Sequence, residues 1–160
     1  MFLWYAIVAP VLVAEVFRSP MLDYRLVALG AVLPLGEVLY GQPLLLHTLL
    51  GPVLVLGVVM GLTMRRRLLR RRWLGVPIGM FVHLVLDGSW TDSVAFWWPA
   101  FGFSLAEVPL PEQRMSTGLG VVLELAALAI GWWAWRRYEL DDPDNRQLLL
   151  RTGHLARGTV

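Results

Sequence analysis

Long apolar segments, bounded by arginines or turns, constrain the fold of this chain more than any other feature. Five such segments are present, and none of them contains more than one carboxylate. They are residues 1–17, 26–41, 44–64, 74–87 and 117–135. A helix that crosses a bilayer needs about 20 mostly apolar residues, with about 17 as the lower limit. The pattern predicts an all-α protein, a polytopic membrane bundle of about five transmembrane helices, two of them short.

The composition agrees with membrane embedding and limits the chemistry of any site. Apolar residues make up 57% of the chain and charged residues only 16%, against about 25% charged in ordinary soluble proteins. This excludes a disordered chain and argues against a water-soluble globule. Because the chain has no cysteine, any metal site must be built from histidines and carboxylates. The formal net charge of +2 gives no argument for a nucleic-acid partner, and membrane lipids are the expected surroundings.

The distribution of arginines predicts the orientation of the helices. The chain has no lysine, and six of its 14 arginines lie between Arg65 and Arg72, between the third and fourth segments. Loops rich in arginine stay on the cytoplasmic side, so the N-terminus is predicted outside and the C-terminus inside, with Arg114 outside. The run is interpreted as a topology signal with some affinity for anionic lipid headgroups. Residues 1–137 are predicted to form the multi-pass domain of an inner or plasma membrane protein, and residues 138–160 a polar cytoplasmic tail.

Ionisable groups of three segments are predicted to meet near the external face. Glu37 lies four residues before the turn at residues 41–43 and His47 four residues after it, so both are expected roughly 6 Å inside that end. His83 and Asp87 lie four residues apart in the last turn of the fourth segment and share one helix face. Two carboxylates and two imidazoles form a ligand set for a divalent metal ion, zinc or alternatively manganese. A hydrogen-bonded or helix-capping pair of His83 and Asp87 is the competing interpretation.

Three further residues are candidates for roles beside the metal. Asp92 follows the fourth segment closely and Glu124 lies about seven residues into the fifth, so each is a candidate general base. The alternatives are a solvated loop position for Asp92 and a hydrogen bond to a neighbouring polar group for Glu124. Arg114, on the external side, is the candidate to neutralise a phosphate.

Four sequence elements within residues 26–103 resemble the membrane-bound metal-dependent hydrolases, a family also described as LexA-binding, inner-membrane-associated hydrolases. Family members carry a Leu-Pro-Asp element, a Thr-His-Ser element, His-x-x-x-Asp and then a Trp-Pro-Phe-like element. The matching stretches, in the same order, are residues 30–37, 46–48, 83–87 and 96–102. The family is distantly similar to zinc-dependent phospholipase C enzymes, so the resemblance implies a zinc site made by Glu37, His47, His83 and Asp87. Two positions depart from the family pattern, since Leu35 stands where Asp is expected and the first segment has no histidine.

The residues and the resemblance together predict a metal-dependent hydrolase. It is expected to act at the extracytoplasmic face on a phosphoester of a lipid or of a lipid-linked substrate. Zinc lowers the pKa of a bound water to about 7 and thereby supplies hydroxide at neutral pH. The alternative is a degenerate, non-catalytic family member that binds a partner or a lipid, with its polar groups hydrogen-bonded between helices. A transporter is disfavoured because the ionisable groups cluster on one side of the membrane.

Overall fold

In the computed structural model the chain is helical, and no strand occurs in the described residues, which are 1–41, 44–91, 93–101, 110 and 114–156. The chain starts with a π-helical turn, Trp4–Val8, that leads directly into the first α-helix. The α-helices are α1 (Ala9–Phe17), α2 (Tyr24–Val32), α3 (Leu50–Leu62), α4 (Arg67–Trp73), α5 (Gly75–Leu86), α6 (Ser93–Phe96), α7 (Thr117–Arg137) and α8 (Pro143–Thr152). Two 3-10 helices, Leu33–Tyr40 and Ser89–Thr91, follow α2 and α5 respectively.

The backbones of α2 and α5 approach each other closely, and glycines make this possible. A Cβ atom at Gly30 would overlap the carbonyl oxygen of Val76, and one at Gly79 would overlap the carbonyl oxygen of Val27. The two backbones therefore touch, which larger residues at Gly30 and Gly79 would prevent. The first helical segment covers this pair with Tyr5, which is fully buried.

One helix among the described residues has the full length needed to span a bilayer. The 21 residues of α7 extend about 31 Å, which matches the roughly 30 Å hydrocarbon thickness of a bilayer. It is the only helix in the described part of the chain that is long and apolar enough to cross a membrane. Trp4–Phe17 and Leu50–Leu62 are apolar but shorter. The all-helical prediction is confirmed, whereas only one of the five predicted spans is a single helix of that length.

The second and third predicted segments are interrupted for identifiable reasons. After Val32 the chain continues as a 3-10 helix that contains Pro34, which has no amide hydrogen to donate to an α-helix. The α3 helix begins only at Leu50, because the preceding residues form turns whose amides, those of Leu44 and Leu46, donate to the carboxylate of Glu37. Both interruptions lie beside the predicted site.

The C-terminal segment folds back onto the start of α2. The amide of Tyr24 donates to the carbonyl oxygen of Gly153 at 2.8 Å, and the guanidinium of Arg25 donates to the carbonyl oxygen of Leu150. Leu149 and Leu155 pack against the core formed by α1 and α2. The residues predicted as a polar tail are thus docked on the helical body as far as residue 156.

Candidate metal centre

Three buried side chains converge at one end of α5. His47 lies in the turn before α3, His83 in the last turn of α5, and Asp87 immediately after α5. Each offers one ligand atom, and the three atoms lie within 4.8 Å of one another. The exposed fraction is 1% for His47, 0% for His83 and 7% for Asp87. The structure therefore brings together three of the four residues predicted as metal ligands.

The ring of His83 is oriented by the backbone of α2. Its Nδ1 lies 2.7 Å from the carbonyl oxygen of Ala31. A carbonyl oxygen only accepts hydrogen bonds, so the hydrogen bond assigns the proton to Nδ1. In the neutral ring the Nε2 lone pair then faces Asp87, whose Oδ2 is 3.5 Å away. The close glycine packing of α2 and α5 is what places Ala31 within reach of this ring.

The ring of His47 is oriented in the same way, by Glu37. The Nδ1 of His47 lies 2.8 Å from Oε2 of Glu37, so a neutral ring donates there and leaves its Nε2 lone pair toward Asp87. The distance from that Nε2 to Oδ2 of Asp87 is 3.9 Å. Histidines that bind metals usually donate a hydrogen bond from one ring nitrogen to a carboxylate or a carbonyl, and bind the metal through the other nitrogen.

Glu37, the fourth predicted ligand, lies behind His47 and outside the converging group. Its Oε1 accepts from the amide of Leu46 at 2.6 Å, and its Oε2 accepts from the amide of Leu44 at 2.9 Å and from the ring of His47. The side chain is 3% exposed. In the structure Glu37 hydrogen-bonds to the loop amides and to the ring of His47. Its role as a direct metal ligand remains a prediction.

The carboxylate of Asp87 is itself held in place by Ser89. The amide of Ser89 donates to Oδ1 at 2.7 Å and its hydroxyl donates to Oδ2 at 2.7 Å. The turn between them has Gly88 at φ +76°, a conformation that favours glycine. Ser89 thus holds Oδ2 of Asp87 at 3.5 Å from Nε2 of His83 and at 3.9 Å from Nε2 of His47.

The arrangement concentrates electron-rich atoms around one point. Two Nε2 lone pairs and one carboxylate oxygen face one another inside the protein, where an uncompensated charge is costly. A cation at their centre would offset the charge of the Asp87 carboxylate. In a tetrahedral zinc site with bonds of about 2.0–2.1 Å, ligand atoms are about 3.3 Å apart. The separations from Asp87 are 3.5 and 3.9 Å, and the three candidate atoms lie within 4.8 Å of one another, so the group would have to contract to bind an ion with that geometry.

Sequence reasoning missed three contributors to this centre. The ring of Tyr5 stacks on His83 with centroids 4.0 Å apart and planes 32° apart. The carbonyl of Ala31 orients His83, and Ser89 orients Asp87. A backbone acceptor has no sequence signal, whereas a tyrosine inside an apolar segment and a serine two residues after a candidate ligand are signals that the sequence did carry.

The residues predicted for roles beside the metal lie elsewhere or outside the described residues. The carboxylate of Glu124 accepts from the amino group of Met1 and from the amide of Leu3, each at 3.1 Å. Arg114 is exposed, and Asp92 lies outside the described residues. The structure does not bring Glu124 into the converging group.

No protein family, curated protein sequence or solved structure matches this chain.

Proposed function

We propose that this protein binds one divalent metal ion, zinc, through Nε2 of His47, Nε2 of His83 and Oδ2 of Asp87. The observation that carries the proposal is the orientation of the two imidazoles, whose Nδ1 atoms face Glu37 and the Ala31 carbonyl while both Nε2 atoms face one carboxylate oxygen. Zinc accepts two nitrogen ligands and one oxygen ligand readily, and manganese is the alternative ion.

We further propose that the bound metal serves hydrolysis. A zinc ion with three protein ligands keeps a fourth position for water, whose pKa it lowers to about 7. The protein's contribution is to fix the ligand set: Ser89 orients the carboxylate, Glu37 orients His47, and Ala31 orients His83. The substrate proposed is a phosphoester of a lipid or lipid-linked compound, with Asp92 as general base and Arg114 as phosphate partner. Glu124 is the less favoured base because its carboxylate is engaged by Met1 and Leu3.

The membrane placement of the site belongs to the same proposal. We propose that shorter apolar segments also cross the membrane beside α7, each made of two consecutive helical elements. For example, α2 and its 3-10 continuation extend about 30 Å together. Large apolar side chains on α3 and α7 are exposed, which fits contact with lipid. They include Val58 and Leu62 on α3 and Val122, Leu125 and Trp132 on α7. The proposed location is an inner or plasma membrane, with the metal centre at the extracytoplasmic side.

A second candidate function is favoured by the burial of the ligands. His47, His83 and Asp87 are all buried among the described residues, and a metal enclosed in this way typically stabilises a fold rather than acting on a substrate. In that case the protein is a non-catalytic membrane protein that binds a partner or a lipid. Activity measurements distinguish the two candidates.

The proposal is tested on detergent-purified protein loaded with zinc, dialysed and analysed for metal by mass spectrometry. The wild type is expected to retain about one zinc per chain, and His83→Ala to lose it, because one of three ligands is removed. His154→Ala is the matched control, since His154 lies near the C-terminus outside the cluster and should leave the zinc content unchanged.

The same preparations are then assayed with phosphoester substrates. Zinc-dependent turnover in the wild type and in His154→Ala, absent in His83→Ala, supports the hydrolase. Stoichiometric zinc without turnover on any phosphoester supports the non-catalytic candidate. Retention of zinc by His83→Ala contradicts the ligand assignment itself.

A further inference from the structure

Five arginines before and within α4 form a basic surface that the metal proposal does not use. We call these residues the α4 surface: Arg65, Arg66, Arg67, Arg70 and Arg71. Four of them are exposed and Arg70 is half-buried. At 100° per residue, Arg67, Arg70 and Arg71 fall on one face of α4, whereas Arg72 falls on the other.

The α4 surface differs from the other arginines at this end of the molecule in its lack of acidic partners. Arg25 and Arg72 both pair with Asp23 at 2.9 Å, Arg136 lies 3.6 Å from Asp141, and Arg137 lies 3.8 Å from Glu15. Within the part of the chain that the structure describes, no carboxylate pairs with an arginine of the α4 surface. Five positive charges are therefore presented together without neutralisation by the described residues.

Exposed apolar side chains lie among these arginines. Leu68 is 78% exposed, Met64 is 75% exposed, and the indole of Trp73 is 43% exposed at the end of the helix. A nucleic acid or an acidic protein segment would pair with the guanidiniums and leave Leu68 and Met64 in water. A bilayer interface satisfies both groups, because phosphates lie at the level of the arginines and the acyl chains begin just below.

We propose that the α4 surface binds the headgroup phosphates of anionic phospholipids, with Leu68 and Met64 inserted at the acyl boundary. Guanidinium groups bind phosphate oxygens bidentately, and clusters of four to eight basic residues next to an apolar helix are typical of anionic lipid binding. The α3 helix, which immediately precedes the surface, is such an apolar helix. The surface is a lipid site separate from the metal centre and does not depend on the bound ion.

The test is a lipid titration of the full chain in a neutral detergent, followed by native mass spectrometry. Phosphatidylglycerol is compared with phosphatidylcholine of the same acyl chains. The wild type is expected to bind phosphatidylglycerol selectively, and the selectivity should fall as salt concentration rises. The double variant Arg67→Gln/Arg71→Gln should bind phosphatidylglycerol about 25-fold more weakly, at about fivefold for each arginine removed.

Two control variants separate the surface from total charge. Arg146→Gln/Arg151→Gln removes the same charge from exposed positions of α8 and should bind phosphatidylglycerol like the wild type. Arg67→Lys/Arg71→Lys retains the charge and should retain most of the binding. Arg72 is left intact in every variant because it pairs with Asp23. Thermal unfolding, measured on each variant, reports whether the fold is preserved and is independent of both the lipid result and zinc binding.

Three results would overturn the proposal. Equal binding of phosphatidylcholine and phosphatidylglycerol by the wild type would show that the arginines do not select the lipid. Equal losses in the α4 and α8 double variants would assign the effect to net charge. Tight binding of a single-stranded oligonucleotide or an acidic peptide, lost in Arg67→Gln/Arg71→Gln without any lipid selectivity in the wild type, would assign the surface to another class of partner.

Discussion

Two buried aspartates, Asp23 and Asp87, are satisfied in different ways. Asp23 is 1% exposed and lies at the N-terminus of α2, where it accepts from the amide of Arg25 and from the guanidiniums of Arg25 and Arg72. Asp87 is 7% exposed and faces the Nε2 atoms of two histidines. No arginine pairs with Asp87 in the described residues.

The difference lies in the positive charge that the described residues place beside each carboxylate. A buried carboxylate is costly unless a positive charge compensates it. The chain supplies that charge to Asp23, which therefore needs nothing more. At Asp87 the described residues instead place two imidazole Nε2 atoms opposite the carboxylate, where the proposed metal ion would supply the positive charge. Asp23 is accordingly assigned a structural role, whereas Asp87 is a proposed metal ligand.

The largest expected effect is on the stabilisation of the protein by zinc, which should depend on Asp87 and not on Asp23. Removal of zinc with a chelator should destabilise the wild type, because an ion that binds only the folded state contributes about 4 kcal/mol when its free concentration is 1,000 times the dissociation constant. Asp23→Asn should respond to zinc in the same way, whereas Asp87→Asn should not respond. The measurement is thermal unfolding in detergent with and without zinc. An Asp87→Asn variant that is still stabilised by zinc would contradict the comparison.

A second prediction tests whether the metal cluster depends on the close packing of α2 and α5. In Gly79→Ala the new methyl group would overlap the Val27 carbonyl and push the helices apart. This would lengthen the hydrogen bond between Nδ1 of His83 and the carbonyl oxygen of Ala31. Loss of an interaction that orients a metal ligand lowers metal affinity by about 10- to 100-fold, and overpacking costs about 1–3 kcal/mol. Zinc titration and thermal unfolding measure the two effects.

Gly57→Ala is the matched control for that substitution. It introduces the same methyl group in α3, where nothing lies within 4 Å of the new Cβ atom. Zinc affinity should be unchanged, and stability should be equal or higher by up to about 1 kcal/mol, since alanine favours a helix. Equal zinc affinities in the two alanine variants would show that the helix contact does not support the site.

The smallest expected effect concerns pH and the Asp23 cluster. Burial raises the pKa of the Asp23 carboxyl, but hydrogen bonds and charge from Arg25 and Arg72 outweigh it and hold the pKa below its ordinary value. A carboxylate with a lowered pKa stabilises the fold above its unfolded pKa of about 3.9, and this contribution is lost as the pH falls through the folded value.

Zinc-free wild type should therefore lose more stability between pH 5 and the acid limit than zinc-free Asp23→Asn, whose amide does not titrate. Both proteins share every other titrating group, which makes the difference between their unfolding curves specific to Asp23. Parallel loss of stability in the two proteins over this range would contradict the assigned ion pairs. Omitting zinc keeps the competition between protons and zinc for the histidines out of the comparison.

The helical character of the fold could be predicted from the length and apolar character of the segments. The fifth segment, 117–135, was predicted within two residues of α7, because a uniformly apolar stretch with arginines at its end leaves few alternatives. The second and third segments could not be predicted correctly. There, Pro34 interrupts α-helical hydrogen bonding and the Glu37 carboxylate binds amides that would otherwise begin α3. A carboxylate that organises a loop has the same sequence signature as a metal ligand.

The site was predicted in part for the same reason. The spacing of His83 and Asp87, and the position of His47 after a turn, were sufficient to bring these three residues together. Which residues converge and which, like Glu37, lie behind them depends on the atom that each ring nitrogen faces. The acceptor at Ala31 is a backbone carbonyl, so the residue type at that position does not reveal it. The sequence therefore identified the neighbourhood of the candidate centre, and the structure shows that His47, His83 and Asp87 converge while Glu37 hydrogen-bonds behind His47.

The most direct measurement is zinc X-ray absorption spectroscopy on the purified, zinc-loaded wild type. The account predicts a four-coordinate ion with two imidazole nitrogens at about 2.0–2.1 Å, one carboxylate oxygen at about 2.0–2.2 Å and one further light atom. In His47→Ala, one imidazole contribution should disappear from whatever zinc remains bound. A wild-type protein that retains no zinc, or whose zinc spectrum contains no imidazole scattering, would contradict the central claim that His47, His83 and Asp87 form a metal site.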